Sequence, residues 1–456
     1  MSRKFFAGLA LVALGIVSVS PDSALGQAGA PAAGVAVDAK GVLSHRVFED
    51  PGFQLTKQRI AAAKSGLDQK VARQSPLRKV SLTRLQAAID EQLAEGRQPT
   101  DEMKCLAGLT RIKFVFFYPE SGDIVLAGPA EGWFEDLSGR IRGVESGLPT
   151  CLLQHLLVAL RAFPPGGKGP NVVGCSIDPT AEGLSRMQAY LRKVRPRSAA
   201  DGPAIANGLR ESLGLQDVRV MGVDPDTQFA HIMIEADYRM KLIGIGLERP
   251  PAPIKSYVDR ASPSQVSSNA MQRWYFTPDY QCVRVTEDRL AMELVGEGVK
   301  LIGEDELVAA SGERKKSASV NLASKAFCED FTKRYPELAA RSPVFAQLRV
   351  LIDMLVAAAH MQQEDYYGKA NWKPSTLLDE NKLPVRTVNA AKHAPTAANA
   401  LVKGGRLVTP VGGGVEIEPR QALASRNLLS DEDGKVQAKR SEIALKDLAK
   451  GQWWWD

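Results

Sequence analysis

The sequence is poor in aromatic residues and carries only a small excess of one charge. Aromatic residues make up 6% of the 456 residues, charged residues 24% and apolar residues 44%, and the formal net charge is +6. These proportions exclude a wholly disordered, collagen-like or multi-span membrane protein. So small a charge does not supply the clustered basic face that nucleic-acid binding needs. At roughly 150 residues per domain, the length predicts about three domains.

Positive charge is concentrated in one region, residues 57–84. Eight lysines and arginines lie there against a single acid, Asp68. We interpret this region as a solvated helical face. A surface for an anionic polymer of the cell envelope is the alternative.

Cysteine is scarce, and its spacing matches no metal site. The five cysteines are Cys105, Cys151, Cys175, Cys282 and Cys328. None forms a CxxC pair, so we expect no structural metal. Each lies among apolar neighbours, which is typical of a buried thiol. Export would permit disulfides, but the odd number leaves at least one thiol over, and no pairing is assigned.

Signature motifs of the common hydrolases and nucleotide-binding proteins are missing. The sequence contains no GxSxG, HExxH, SxxK or GxGxxG. Its glycine-rich segment 164–169 lacks the leading glycine and the trailing Ser or Thr of a phosphate-binding loop. The missing motifs make the common hydrolase and nucleotide-binding classes less favoured. They do not exclude them, because catalytic groups can be assembled from distant residues. We predict no cofactor and no metal centre.

Residues 1–26 have the features of a secretory signal peptide. Arg3 and Lys4 precede an apolar run over 5–19, and a small-residue site ends at Gly26. We therefore predict cleavage near Gly26 and a soluble mature protein in the periplasm or outside the cell. The next most apolar run, 351–361, is too short for a membrane span.

Residues 56–248 are predicted to form a domain of helices followed by an α/β layer. The preceding segment, 27–55, is rich in Ala, Gly and Val and predicts a flexible lead-in. Ser81 is a good N-cap for an amphipathic helix. Residues 111–118 and 123–127 predict a β-hairpin.

One local pattern occurs twice in this domain. Each copy has a helix, a strand, an Asp-Pro step and an amphipathic helix. The strands are predicted at 172–177 and 218–223, and the Asp-Pro steps follow at Asp178 and Asp224. Because Asp-Pro is favourable at a helix start, the pattern predicts a duplicated helix–strand–helix unit.

Beyond residue 248 the apolar spacing changes. A Pro/Ser-rich loop is predicted over 249–269, followed over 270–372 by a β-meander of four short strands and two packed helices. The helices are expected at about 319–335 and 343–363. Residues 373–456 predict Gly/Ala-rich strands and a weakly ordered tail. The fold class is therefore α+β, or mixed α/β.

The chain ends in three consecutive tryptophans, residues 453–455, which are half of all its tryptophans. Docking on the protein's own surface, or disorder, is the favoured interpretation. Binding to a sugar or polymer, or contact with a membrane interface, are the alternatives.

Five segments of the chain carry a resemblance to a known family. They are PTDEMKCLAGLTRIKFVFFYPESGDIVLAGPAEGW at 99–133, GCSIDPTAEGL at 174–184, EADYRMKLIGIGLE at 235–248, RWYFTPDYQCVRV at 273–285 and DYYGKANW at 365–372. They resemble a family of secreted planctomycete bacterial proteins that is classed as a domain of unknown function. The resemblance covers most of the mature chain but implies no activity, so it assigns no role to any residue.

One group of polar residues is a candidate site, on the helix predicted after Asp224. The apolar stripe of this helix leaves His231, Glu235 and Tyr238 together on the opposite face. A histidine and a carboxylate one turn apart can share a metal or act as a proton-transfer pair if a third group comes from elsewhere. An ordinary solvated face with weak ion pairs is the simpler interpretation.

Two functions follow as hypotheses. The favoured one is an exported, non-catalytic binding or structural protein of the cell envelope, with an envelope polysaccharide or an envelope protein as its partner. The alternative is an exported enzyme, a hydrolase that uses His231 and Glu235. An enzyme needs this helix face concave and shielded, whereas a scaffold leaves it open to solvent.

Overall fold

The computed structural model describes residues 32–456 except 196, 263–269, 309–313, 317–320, 404–405, 409–411, 444 and 446–447. The predicted signal peptide, residues 1–26, lies outside the described residues. The described chain has a mixed α+β fold, as the sequence predicts.

The described helices are numbered in chain order. They are α1 Gln54–Gly66, α2 Gln69–Ala72, α3 Leu82–Ala94, α4 Asp101–Lys104, α5 Leu153–Ala162, α6 Ala181–Lys193, α7 Gly202–Leu213, α8 Gln228–Gly244, α9 Tyr257–Arg260, α10 Leu322–Lys333, α11 Tyr335–Arg341, α12 Pro343–Gln363, α13 Tyr366–Lys369, α14 Ser375–Leu378, α15 Pro419–Ala422 and α16 Lys435–Ser441.

The described strands are numbered in the same way. They are β1 Ala32–Val37, β2 Leu43–Phe48, β3 Ser75–Ser81, β4 Phe114–Tyr118, β5 Asp123–Ala130, β6 Trp133–Glu135, β7 Ile141–Gly143, β8 Val173–Pro179, β9 Leu215–Met221, β10 Ala270–Pro278, β11 Val283–Val285, β12 Ala291–Leu294, β13 Val299–Val308, β14 Arg314–Lys316, β15 His393–Pro395, β16 Leu401–Lys403, β17 Arg406–Val408, β18 Gly413–Ile417, β19 Leu429–Ser430 and β20 Trp454–Trp455.

The described strands form two seven-stranded sheets and three two-stranded sheets. The first large sheet has the order β14-β13-β10-β18-β8-β9-β15, and the second has the order β19-β11-β12-β4-β5-β3-β20. Neighbouring strands in both are antiparallel, apart from the parallel pairs β10–β18 and β11–β19 among the described strands. One hydrophobic core joins residues of both sheets.

Helix α12 lies at the centre of this core. Every side chain over 344–361 is buried, and the helix packs on α5, α8, α11 and α15. Its length and hydropathy would also suit a membrane span, but its most apolar stretch is entirely enclosed by the fold. Such enclosure is typical of the core helix of a globular protein, and Pro343 opens it as the sequence predicts.

Several local predictions are confirmed. The Oγ of Ser81 accepts a hydrogen bond from the backbone N–H of Arg84 at 3.3 Å, so it caps α3. The predicted hairpin is the antiparallel pair β4–β5. All five cysteines lie in the described part of the chain and are buried thiols.

The four strands predicted after residue 269 exist, but they do not form a meander. The outer two, β10 and β13, pair with each other in the first sheet, whereas β11 and β12 pair in the second. The alternation of apolar and polar residues along a strand shows which of its faces is buried. It does not show which other strand it pairs with. Gly296 and Gly298, both with positive φ, form the turn that returns the chain from β12 to β13.

The predicted flexible lead-in, 27–55, contains an ordered hairpin. Strands β1 and β2 pair from Ala32↔Phe48 to Val37↔Leu43. Leu43 is buried, β1 packs on α8, and β2 packs beside β15. The prediction was wrong for 32–48 because composition alone does not show that a distant helix provides a surface for these strands.

The two copies of the helix–strand–helix pattern have different surroundings. Strands β8 and β9 are antiparallel neighbours, but α6 packs on α7 in a small separate cluster, whereas α8 lies in the main core. The helix caps also differ from the prediction. The threonine hydroxyls of Thr180 and Thr227 cap α6 and α8, in place of Asp178 and Asp224.

Residues 373–456 contain strands, as predicted, and the part expected to be a weakly ordered tail also contains α15, α16, β19 and β20. Strand β18 lies inside the first sheet, between β10 and β8. A Cβ atom on Gly413 would lie 2.0 Å from the carbonyl oxygen of Trp274, and one on Gly414 would lie 2.2 Å from that of Cys175. The glycine-rich sequence therefore permits close backbone packing in the sheet. The predicted domain limits themselves stay predictions.

Candidate functional site

Helix α8 carries the predicted site residues. Thr227 caps the start of the helix, and Phe229, Met233 and Met240 of its apolar face are fully buried. This face packs on β8, β18 and α12. The amphipathic spacing was therefore interpreted correctly, since apolar contacts fix which side of α8 faces the core.

The opposite face of α8 is covered from solvent, and Glu235 is buried there and hydrogen-bonded. Only 2% of Glu235 is exposed, and its Oε2 accepts a charge-assisted hydrogen bond from the guanidinium of Arg140. Arg140 belongs to the turn between β6 and β7 and also donates to Gln347 Oε1 at 2.7 Å. Arg239 Nη1 lies 3.9 Å from Glu235 Oε1. The carboxylate is held between two cations from different parts of the chain.

His231 is half-buried and is bound to the backbone. Its Nε2 lies 2.8 Å from the carbonyl oxygen of Asn389. Because a carbonyl only accepts, Nε2 carries the proton and Nδ1 does not. Burial lowers the pKa of His231, so the ring is neutral at neutral pH.

Tyr238 occupies different surroundings from the other two residues. It is half-buried and lines a water-sized cavity of about 10 Å³ with Gln216, Lys241 and Trp274 among others. Burial raises the pKa of its phenol. In the described part of the chain, no hydrogen bond joins any two of His231, Glu235 and Tyr238.

The β1–β2 hairpin covers this face. The guanidinium of Arg140 donates to the carbonyl oxygen of Ala33 on β1. His45 on β2 is half-buried, and its Nε2 has no hydrogen-bond partner among the described residues. Its pKa is lowered by burial and by the nearby Arg239. No local sequence pattern could predict the contact between Arg140 and Glu235, because these residues are 95 positions apart in the chain.

A buried ion pair anchors α8 to the first sheet. Lys241 Nζ lies 2.8 Å from Asp237 Oδ2, and it donates to the carbonyl oxygens of Ile177 at 2.8 Å and Gly413 at 3.3 Å. These three partners use all three ammonium protons. Burial raises the pKa of Asp237 to about 6. The pair joins α8 to β8 and β18, which indicates a structural role.

A large cleft opens beside α5, and we call it the α5 cleft. Its volume is about 860 Å³. Its lining residues are grouped by polarity, the apolar ones being called the floor and the polar and charged ones the rim. The floor residues are Pro99, Cys105, Trp133, Phe134, Ile141, Leu152, Leu153, Leu157, Leu383, Pro384 and Val385, and the rim residues are Gln98, Asp101, Lys104, Glu135, Gln154, Arg386 and Thr387.

The wall formed by 383–387 is fixed at both ends. At its start, Arg161 Nη2 of α5 donates to the carbonyl oxygen of Leu383 at 2.7 Å. At its end, the N–H of Val388 donates to the carbonyl oxygen of Asp226 at 2.7 Å. The cleft is therefore largely preformed, which lowers the entropy lost when a ligand binds.

The charges of the cleft do not favour a ligand of one sign. The rim carries Asp101 and Glu135 as well as Lys104 and Arg386. Burial raises the pKa of the Cys105 thiol in the floor to about 12, so it stays protonated and is a poor nucleophile. Within the described residues, no group of three or more His, Cys, Asp or Glu side chains is placed to hold a metal ion.

The cleft adjoins the beginning of α8 but not its predicted site. Gln154 on the rim is hydrogen-bonded to Gln228, the first residue of α8. His231 is bound to Asn389, just beyond the 383–387 wall, and neither His231 nor Glu235 lines the cleft. Sequence reasoning missed the cleft because its walls come from four separate segments, 98–105, 133–141, 152–157 and 383–387.

Residues 175–257 match a family model described as Protein of unknown function (DUF1598). No curated protein and no solved structure is significantly similar to the chain. The matched segment runs from β8 to the start of α9 and contains the candidate residues of α8. The family description assigns no chemistry to them. The residues that line the α5 cleft all lie outside the matched segment.

Proposed function

We propose that this is an exported, non-catalytic binding protein of the cell envelope that holds an apolar segment of an envelope protein in the α5 cleft. The observation that carries the proposal is a large cleft lined mostly by apolar residues, with fewer polar and charged ones. Ligand pockets of about 300–1,000 Å³ commonly have this construction, and a cleft of about 860 Å³ falls within that range. Export rests on the signal-peptide features of residues 1–26.

A polypeptide segment suits the lining better than a charged ligand does. Its apolar side chains can occupy the floor between Phe134 and Leu157. Its backbone amides can pair with the side chains of Gln98 and Gln154 at the rim. The rim carries charges of both signs, so it gives no net attraction to a ligand of one charge. These charges contribute more to the choice of ligand than to the binding affinity.

A non-catalytic role is supported by the state of the reactive groups. The Cys105 thiol is protonated, and the His231 ring is bound to the backbone outside the cleft. Glu235 is held by Arg140. The groups best able to transfer protons or attack a substrate are therefore engaged elsewhere or inactive.

Val385→Asp tests the proposal, because it places a carboxylate in the apolar wall of the cleft. The mature chain is incubated with an array of overlapping synthetic peptides from exported proteins of the organism that produces it. We expect apolar peptides to bind, and the affinity of the best one to fall by at least about tenfold in the variant. Binding is measured by fluorescence anisotropy.

Val47→Asp is the matched control. Val47 is 55% exposed and lies outside the cleft, so this variant should bind like the original protein. Failure of every peptide to bind would contradict the proposal. Equal binding by the original protein and Val385→Asp would place the ligand elsewhere.

The second candidate function is an exported hydrolase that uses His231 and Glu235. The observation in its favour is that their helix face is shielded, as an active site requires. In addition, Glu235 Oε1 and His45 Nε2 are buried without a hydrogen-bond partner among the described residues. This alternative stays a prediction, and it requires substrate to contact His231.

A further inference from the structure

The C-terminal tryptophans dock on the edge of the second sheet. Strand β20 pairs with β3 in the register Trp454↔Val80 and Trp455↔Lys79. The N–H of Ser81 also donates to the carbonyl oxygen of Trp453 at 2.9 Å. The favoured interpretation, docking on the protein's own surface, therefore describes this end of the chain.

A fully buried arginine holds the last residues in place. Arg78 Nε donates to Asp456 Oδ1 at 2.8 Å, and Nη1 donates to the carbonyl oxygens of Val71 and Ala107 at 2.9 and 2.8 Å. Its guanidinium also lies 4.7 Å from the ring centroid of Trp454. The indoles are thus positioned before any ligand arrives, which reduces the cost of ordering them.

A second large cleft, which we call the tryptophan cleft, lies between residues 69–73 and 450–456. Its volume is about 920 Å³. Half-buried Trp454 and Trp455 line it together with the exposed cations Lys70, Arg73 and Lys450. The side-chain amide of Gln69 completes the polar part of the lining, whereas that of Gln452 accepts from the N–H of Ala449 at 3.1 Å and donates to the carbonyl oxygen of Trp454 at 3.2 Å.

The cations of the cleft remain accessible to a ligand. The side chain of Arg73 is 71% exposed, although Nη2 lies 3.1 Å from Asp456 Oδ2. Such an exposed pair is weak and can exchange partners. The Asp456 carboxylate is already engaged by buried Arg78, so it opposes an incoming anion less than a free carboxylate would.

We propose that the tryptophan cleft binds an anionic polysaccharide whose sugars carry carboxylates. The apolar faces of sugar rings pack on indole rings, and sugar hydroxyls pair with side-chain amides. Carboxylates form charge-assisted hydrogen bonds with lysine and arginine. The combination of indoles, cations and amides fits this class better than a neutral sugar, which leaves the cations unused. The proposal is independent of the α5 cleft.

The test uses the mature chain, residues 27–456, with hexagalacturonate as the probe. Binding is followed by calorimetry and by quenching of tryptophan fluorescence. We expect the double variant Lys70→Glu/Lys450→Glu to weaken binding by at least about tenfold. Added salt should weaken it as well, because exposed charges are screened.

The control variant is Lys325→Glu/Lys369→Glu, which changes the net charge equally at exposed lysines outside the cleft. Its affinity should stay within about threefold of the original. The Val385→Asp variant should also bind the probe normally, so this result stands apart from the peptide proposal.

Four outcomes would overturn the inference. The first is that hexagalacturonate fails to bind, and the second is that maltohexaose binds as tightly. The third is that the control variant weakens binding as much as the cleft variant does. The fourth is that phosphatidylglycerol vesicles or single-stranded DNA bind more tightly than hexagalacturonate and lose affinity in Lys70→Glu/Lys450→Glu. In that case the partner would be a membrane or a nucleic acid.

Discussion

Replacing Arg140 by methionine is expected to lower the free energy of unfolding by about 3–5 kcal/mol, the usual effect of removing one partner from a buried ion pair. Glu235 is 2% exposed and would keep a charge with only the more distant Arg239 to offset it. The variant also loses the hydrogen bonds to Gln347 and Ala33, which join α12 and β1 to this site. Urea unfolding followed by circular dichroism measures the effect.

Two further variants separate the buried charge from simple loss of a side chain. Arg140→Met/Glu235→Leu should recover part of the lost stability, because no buried charge then remains unpaired. Arg334→Met breaks partly exposed pairs with Glu337 and Asp330 and should cost no more than about 1 kcal/mol. If Arg140→Met were no more harmful than Arg334→Met, Glu235 would not depend on Arg140.

Asp353→Ala is expected to have an effect of similar size, about 3–5 kcal/mol, at the centre of the core. Asp353 lies on α12 and is 1% exposed, and its Oδ2 accepts from Arg111 Nε at 2.8 Å. Arg111 lies just before β4 and is 5% exposed. Without the carboxylate, its guanidinium would remain buried, and the acid left beside it among the described residues is the more distant Glu297, 3.9 Å away.

Asp330→Ala is the control for Asp353→Ala. Asp330 pairs with two arginines, Arg260 at 2.6 Å and Arg334 at 3.4 Å, but its side chain is 24% exposed. We expect a loss of no more than about 1 kcal/mol, since water replaces much of the pair. The same urea titration compares the two variants. Equal losses would show that burial of the Arg111–Asp353 pair does not determine its contribution.

Local structure was predictable where neighbouring residues determine it. Ser81 begins a helix because its hydroxyl accepts from a backbone N–H three residues later. Pro343 opens α12 because its fixed φ suits the first turn. Both effects act within one turn of helix, so the sequence alone contains them.

Pairing between distant segments was not predictable in the same way. The alternating pattern identified β10 and β13 as strands but did not show that they pair with each other across β11 and β12. The sequence predicted Gly/Ala-rich strands in the region of β18 but not the strands with which they pair. The glycines of β18 approach the backbone of Trp274 and Cys175 closely, which no local pattern reveals.

At the candidate site, too, local helical spacing could be predicted from the sequence, but the contacts with distant segments could not. Helical spacing predicted that His231, Glu235 and Tyr238 share the face of α8 opposite its apolar stripe. In the structure His231 contacts Asn389, Glu235 contacts Arg140, and Tyr238 lines a small cavity beside Trp274. What covers that face comes from Arg140 and from β1, which lie about one hundred to two hundred residues away in sequence. The residues of the α5 cleft gave no signal, since apolar side chains such as Leu157 and Leu383 resemble ordinary core residues until a fold leaves them facing a cleft.

Hydrogen–deuterium exchange of the mature chain, with and without its tightest-binding envelope peptide, tests the location of the binding site most directly. We predict slower exchange over 98–105 and 383–388 when the peptide is bound, with no change over 231–238 or in the covering strand at 43–48. Slower exchange over 231–238 without any change at 383–388 would contradict the account. It would place the ligand at His231 and Glu235, as the hydrolase alternative requires.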